Sequence, residues 1–424
     1  MTRARLTVTL IAAALVAVAG VGPASAAAAD KQPPDCPASV RAPSAIVLEV
    51  STGIVACERN ADEERPVGST MKLMTALLTL ERAKLRDVYR AADYHPSPAE
   101  SLIGLRPGDR LSVRDLLRGL LIQSGNDAAM TLADGVAGSE KAFVRLMNRR
   151  ARELGLDHTH YANPIGLDAP GAHSSAGDLA KLALFLRTKP FFRRVVKQPS
   201  VTLVTGGVTH TFSNQNSLIP AVPWVNGIKT GHTSLAGHAL VGSGRQKGIQ
   251  VISVVLAEPS KAQRNDDTVR LLRYGMSRFQ RITAARPGSS VGVSVPIRYR
   301  RGAELELVIG PNGERTVVPR HERDRVTIRP TRFPSQVRGP IEYGQKLGEA
   351  DVLQDGHKIA TVPLVASGEV PAAGLAQRTK SWFTTPLGVV LAFAVLSGTV
   401  LLARRRRRPP GPGRKRAHEE AGVA

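Results

Sequence analysis

Three short groups of residues carry side chains suited to one kind of chemistry. The first is Ser69-Thr-Met-Lys72. A serine hydroxyl is a poor nucleophile until a base takes its proton. On a helix, positions i and i+3 share a face, so Lys72 Nζ can reach Ser69 Oγ. Apolar neighbours should lower the lysine pKa toward that of a useful base. A serine at a helix start also has free backbone N–H groups nearby that can hold an oxyanion. Alone the pattern is weak, because a Ser-x-x-Lys arises about once or twice by chance in a chain this long. Its plain alternative is an N-cap serine with a lysine reaching for solvent. The second group, Ser124-Gly125-Asn126, is otherwise an ordinary turn. The third is Lys229-Thr230-Gly231. Its cation and hydroxyl can hold a carboxylate, and its glycine lets a substrate backbone approach; otherwise it is an exposed strand end. Each tripeptide arises by chance roughly one time in ten, so all three in this order have odds of about one in a hundred.

Elements must bring these groups together. Residues 45–49 and 54–56, joined at Gly53, read as a β-hairpin. Residues 69–84 are apolar nearly all round, as in a buried helix. Ser112 with Asp115 marks a helix start that runs through Ile122. The Ser124 turn interrupts, and a helix resumes over 127–136. Residues 141–154 and 175–186 are further helices, the first ending at Gly155. Strands follow at 240–242 and 251–256, then a helix over 268–279. Strands therefore open and close a region with a helical middle. At Arg286-Pro-Gly288 the texture changes to short alternating strands, at 291–295, 304–309 and 325–330, which predict a small all-β domain.

The ends and the charge bound the setting. Arg3 and Arg5 precede an apolar run over 6–21, and Ala24-Ser25-Ala26 fits a signal-peptidase site. An uncleaved anchor is the alternative. A second apolar run, 386–403, holds 18 residues without a charge, about 27 Å as a helix. Trp382 and Phe383 precede it and Arg404 to Arg408 follow, which predicts one membrane-spanning helix with its C-terminus in the cytoplasm. A buried core helix is the alternative. The net charge is +23. The tail from Arg404 holds eight Lys/Arg and two Glu. The remaining excess is spread over the exported part without a basic run interleaved with aromatics, so no nucleic-acid partner is expected. A basic exterior suits anionic wall or lipid polymers. The charged fraction of 22% excludes wholesale disorder. Two cysteines exclude a disulfide-scaffold miniprotein, and no Cys/His spacing reads as a metal site. Outside the cytoplasm Cys36 and Cys57 are expected to pair, contributing about 3 kcal/mol; two free thiols are the alternative.

Taken together, Ser-x-x-Lys, Ser-Gly-Asn and Lys-Thr-Gly resemble the signature of penicillin-recognising serine enzymes. The likeness is closest to the low-molecular-mass D-alanyl-D-alanine carboxypeptidases, serine peptidase family S11. It covers about residues 41–283, and 285–368 resembles that family's C-terminal domain. Arg65-Pro-Val-Gly-Ser-Thr-Met-Lys72, Gly166-Leu-Asp168 and Gly227-Ile-Lys-Thr-Gly-His232 also carry it. The resemblance implies an α/β (α+β) fold: a penicillin-binding-protein/β-lactamase-like domain with a helical subdomain, a small all-β domain, then the one C-terminal transmembrane helix. It implies Ser69 as acylated nucleophile, Lys72 as its base and Ser124 in proton transfer. Asn126 would hold the substrate amide, and Lys229 and Thr230, helped by Arg264, the terminal carboxylate. Gly231 would let the substrate approach, and the N–H groups of Ser69 and His232 would form an oxyanion hole. The implied partners are peptidoglycan stem peptides, with β-lactams as covalent inhibitors, and no cofactor. Two departures stand out. Gly68 replaces a common alanine, a swap expected to be neutral, and Ile165 replaces a frequent histidine.

The expected layout is signal peptide 1–26, loose segment 27–40, catalytic domain 41–283, β domain 285–368, linker 369–383, membrane helix 384–403 and basic tail 404–424. A β-lactamase would want a further base spaced Glu-x-x-x-Asn, which Glu153 to Asn163 does not supply. A catalytically idle wall-binding protein of the same fold is disfavoured by three intact motifs, and transpeptidation stays open because acceptor choice is not written in them. His158, His160 and His210 are expected at the surface.

Overall fold

The computed structural model describes residues 33–382 and 386–406. The expected signal peptide and most of the basic tail lie outside the described residues. Strands β1 (Ser44–Glu49) and β2 (Val55–Arg59) form the first hairpin. A 3-10 turn over Gly68–Met71 leads into α1 (Lys72–Arg82). The short strands β3 (Val88–Arg90) and β4 (Arg110–Ser112) bracket a long loop. A helical middle follows: α2 (Val113–Ile122), α3 (Asn126–Ala137), α4 (Glu140–Glu153), α5 (Ala176–Leu186) and α6 (Pro190–Val196). The hairpin of β5 (Ser200–Thr205) and β6 (Val208–Ser213) and the single turn α7 (Leu218–Ala221) come next. Then β7 (Val225–Thr233), β8 (Gly237–Gln246) and β9 (Ile249–Glu258) run into α8 (Lys261–Arg278).

The main sheet has the order β2-β1-β9-β8-β7, antiparallel throughout, with β7 at one edge. Both faces are covered, and the side-chain period of two divides them. Ile46, Leu48, Ile252, Val254 and Leu256 enter one core with α1 to α5. Ala45, Val47, Val251 and Val255 enter another with Leu271, Leu272 and Met276 of α8. This explains why β9 is apolar on both faces, broken only by Gln250 and the buried Ser253 before its last residue. Each fully buried Val, Leu or Ile contributes roughly 1.5–3 kcal/mol, so the two layers clamp the sheet between them. Cys36 and Cys57 are joined by a disulfide, with Cα atoms 5.0 Å apart, and sit in the α8-side core.

The remainder is all-β. Strands β10 (Phe279–Ala285) and β13 (Glu314–Pro319) pair as a ribbon. Strands β11 (Ser290–Pro296), β12 (Glu304–Ile309), β14 (Val326–Arg332), β15 (Lys346–Gln354) and β16 (His357–Ala366) form a second sheet, in the order β11-β12-β16-β15-β14. Beyond it lie α9 (Leu375–Trp382), inside the expected linker, and α10 (Pro386–Arg406).

The expected bilayer-spanning helix is not supported: among the described residues no helix is long and apolar enough to cross a membrane.

Candidate active site

A cleft of about 680 Å³ opens beside the edge strand β7. Ser69, Ser124, Asn126, Thr230, Gly231, His232 and Arg264 all line it. The three sequence motifs therefore meet, although 162 positions separate Ser69 from Gly231.

Ser69 stands in the 3-10 turn rather than in the α-helix expected from its apolar surroundings. Glycines fix its place. Gly68 is left-handed at φ +56°, and a Cβ there would lie 2.8 Å from His232 N. The alanine swap expected to be neutral is therefore strained in this chain. A Cβ on Gly166 would lie 2.3 Å from the Gly68 carbonyl oxygen and 3.1 Å from Ser69 Cα. One on Gly231 would lie 2.3 Å from the Val67 carbonyl oxygen. Three backbones thus converge around the serine with no room for side chains.

Lys72 opens α1, completely buried, with Nζ 2.8 Å from Ser69 Oγ. It also donates to the Ile165 carbonyl. The loop carrying that carbonyl is held by Asn163, whose Oδ1 accepts from Gly166 N at 2.7 Å. Ile165 thus serves through its main chain, which explains why the departure from histidine leaves the lysine anchored. Burial, and then the charge of Lys229, hold the Lys72 pKa well below the usual lysine value; Glu100 and Asp127 oppose this more weakly. A neutral amine within hydrogen-bond reach of a serine hydroxyl can take its proton.

Ser124 sits just before α3 with φ +68°, a conformation uncommon outside glycine, and is 4% exposed. Asn126 begins α3. Its Nδ2 donates to Glu100 Oε2 at 2.7 Å, and its Oδ1 is buried without a partner. A buried acceptor left open beside a cleft is ready for a donor from a bound molecule. Glu100 also accepts from Tyr94. Burial alone would raise its pKa, but hydrogen bonds from Tyr94, Asn126 and Ser97 win and lower it. Asp127 accepts from Ile103 N and Leu105 N at 3.0 Å, tying the loop that bears Glu100 to the N-terminus of α3.

Lys229 is 1% exposed and donates to the Thr230 carbonyl at 3.0 Å. Burial, then Arg264, push its pKa down to about 7. Arg264, on α8, is 3% exposed and donates to Asn265 Oδ1 at 2.8 Å. Burial brings it down to about 10. Two buried cations and the Thr230 hydroxyl on the edge strand can recognise a carboxylate. His232 stacks on His238 of β8, with centroids 4.1 Å apart. Burial first, then His232, Arg264 and Lys261, lower the His238 pKa. Beyond that, Glu258, which pairs with His238 in the sheet, is fully buried. Burial, then Asp267, raise its carboxyl pKa to about 8.

Sequence reasoning did not single out Glu100, Tyr94 or His238. Glu100 and Tyr94 sit in a loop without periodicity, and His238 in a strand whose neighbours gave the only signal. Asp168, noted within Gly166-Leu-Asp168, accepts from Thr233 Oγ1 at 2.7 Å and braces the end of β7. His158 and His160 lie outside the cleft lining, and so does His210.

A family model described as D-alanyl-D-alanine carboxypeptidase matches residues 27–260, and one described as penicillin-binding protein 5, C-terminal domain, matches 279–372. The D-alanyl-D-alanine carboxypeptidase DacD of Escherichia coli (strain K12) is 33% identical over 371 residues, covering 83% of this chain and 92% of its own length. The crystal structure of penicillin binding protein 6B from Escherichia coli superposes with a TM-score of 0.57 at 30% identity, over 79% of this chain and 99% of that one. The Streptomyces K15 DD-transpeptidase gives 0.54 at 32% identity, over 56% of this chain and 98% of that one.

Proposed function

This chain belongs to the D-alanyl-D-alanine carboxypeptidase family, and from that premise we propose how its own residues would remove the terminal D-alanine from peptidoglycan stem peptides. The observation that carries the mechanism is the fully buried Lys72 with Nζ 2.8 Å from Ser69 Oγ. The substrate's C-terminal carboxylate docks on Lys229, Thr230 and Arg264, which demands a free chain end. Asn126 Oδ1 accepts the substrate amide N–H. Neutral Lys72 takes the Ser69 proton as Oγ bonds to the penultimate carbonyl carbon. The N–H groups of Ser69 and His232 hold the resulting oxyanion. The C–N bond then breaks, the proton passes by way of Ser124 to the leaving amine, and D-alanine departs. Water attacks the Ser69 ester, giving up a proton to Lys72; the ester C–O bond breaks, Lys72 passes that proton to Ser69 Oγ, and the shortened peptide leaves with its new carboxylate. A β-lactam presents a carboxylate and a reactive amide to the same groups and leaves an ester on Ser69.

The layout supports an exported enzyme. Two stretches of sequence carry this reading: the basic, apolar and Ala-x-Ala stretch over 1–26, and the charge-free run 386–403 closed by five arginines, which would hold the chain at the membrane with its cleft outside. Incubating the full chain with a pentapeptide ending in D-Ala-D-Ala is the test. Release of D-alanine that vanishes in Ser69→Ala supports the mechanism; release that persists in that variant overturns it. An acceptor-dependent reaction, favoured by the likeness to the K15 transpeptidase, would show product only when an amine is added.

A further inference from the structure

Far from the cleft, the same sheet borders a second concavity. It measures about 340 Å³ and lies among α6, the start of β7 and the end of β8. Arg245, on its rim, is seven residues along β8 from His238 at the cleft. That is about 23 Å of strand. Arg187, Arg193, Arg194, Lys197 and Arg245 line it, with no carboxylate among the lining residues.

Arg187 forms its floor and is 8% exposed. Its Nη1 donates to Ser243 Oγ at 3.0 Å and to Asn226 Oδ1 at 3.3 Å. With the Gln250 amide in its hydrogen-bonding orientation, the Gln250 oxygen accepts from Arg187 Nε at 3.2 Å. Every one of these partners is neutral. Burial, then Arg193 and Arg245, disfavour the charge. Burying a cation against neutral dipoles alone is costly, and an arginine does not escape by shedding its proton near neutral pH. The pocket therefore lacks one negative charge, with four further cations exposed around its rim. The concavity shares Arg245 with an adjoining groove of about 430 Å³ that carries Arg281 and Arg315 of the β domain, with Glu314 the sole acid on its lining.

We propose that this pocket binds a flexible phosphodiester-linked anionic polymer, with one phosphate seated on Arg187 and its neighbours carried along the groove past Arg245. A guanidinium fork matches phosphate oxygens in pairs. A phosphodiester keeps its charge at every pH at which the protein is folded, as a pocket of arginines requires. A groove rather than a single hole suits a chain of repeats. A bilayer fits poorly, because a planar surface does not reach a recessed arginine and the lining offers no exposed aromatic or large aliphatic side chain to enter lipid. Single-stranded nucleic acid would want aromatic stacking platforms, which the lining also lacks.

The test is fluorescence anisotropy of a labelled octa(glycerol phosphate) with the full chain in uncharged detergent. Saturable binding that weakens with added salt is expected. The surface variant Arg193→Gln/Arg194→Gln/Lys197→Gln should bind at least about tenfold more weakly while releasing D-alanine from a soluble peptide as before. Asn226→Asp, which supplies a carboxylate beside Arg187, should weaken binding and raise the melting temperature together. The proposal falls if the triple variant binds like the parent. It also falls if poly-L-glutamate, phosphatidylglycerol micelles or a single-stranded oligonucleotide bind as tightly as the polyol phosphate. Should Asn226→Asp fail to fold, the triple variant decides alone.

Discussion

The two ends of β7 and β8 both gather positive charge, yet they use different residues, and only the cleft end has carboxylates, Glu100 and Asp168, on its lining. At the cleft the deeply buried cations include two lysines, Lys72 and Lys229; at the far end the buried cation is an arginine, Arg187. The same burial has unlike consequences. It brings Lys229 to about 7, where it exchanges protons near neutrality, and holds Lys72 well below its usual value, so that it gives up its proton more readily than a free lysine. It brings Arg187 only to about 10, so that side chain stays charged. The choice of cation thus separates a place built to move protons from a place built to hold an anion.

The largest expected effect is loss of the nucleophile. Ser69→Ala should reduce both D-alanine release and penicillin acylation to background, more than about 10³-fold, with an unchanged melting curve. Next, Lys72→Arg keeps the charge but forbids deprotonation, and acylation should fall about 10²- to 10⁴-fold. Acylation near the parental rate in a folded Lys72→Arg protein would erase the distinction between the two ends. Third, Gly231→Ala drives a methyl toward the Val67 carbonyl, and the displaced strand should cost about 10² in kcat/KM.

A smaller effect lies in the pH profile. Lys72 must be neutral to accept a proton, so acylation should rise with pH through its lowered pKa. Lys229 must be charged to hold a carboxylate, so KM should climb as pH passes about 7. Lys229→Arg should flatten that climb, and an unaltered climb would remove Lys229 from carboxylate recognition. The smallest effect concerns Glu258. Its folded pKa is raised to about 8 from 4.5, so its neutral form favours folding below about pH 4.5, and that benefit is lost as pH rises through 8. Glu258→Gln should therefore melt higher than the parent at pH 9 and equally at pH 4, as read by circular dichroism.

The chemistry was legible in three tripeptide-scale motifs because each needs neighbours in sequence: a base one turn from its serine, a turn before a helix, a cation on an edge strand. Helices with Ser caps were legible too; Ser112 and Ser175 accept from the N–H groups of Asp115 and Asp178 as their spacing suggests. The start of α8 was not. Its first turns bury Arg264, Asp267 and Thr268, so no apolar period marks them, and the helix begins at Lys261 rather than at 268. The β5–β6 hairpin was missed, although the inward Val201, Leu203 and Thr205 and the Gly206-Gly207 turn carry a signal for it. The anion pocket is invisible in sequence, since Arg187, Ser243 and Gln250 come from three elements and only the fold shows that no acid joins them.

The convergence of Gly68, Gly166 and Gly231 around Ser69 also limits how this enzyme can adapt. Escape from an inhibitor that mimics a substrate commonly needs a wall of the site to move so that one is refused and the other kept. Here the wall next to the nucleophile is bare main chain, and a single added methyl collides with carbonyl oxygens or amide nitrogens 2.3–2.8 Å away. Variation of that wall is closed off at its first step. The open routes lie elsewhere on the lining, at Ala99, Leu167 and His238, which are not part of the clamp. Selection under β-lactam pressure should accumulate its changes there.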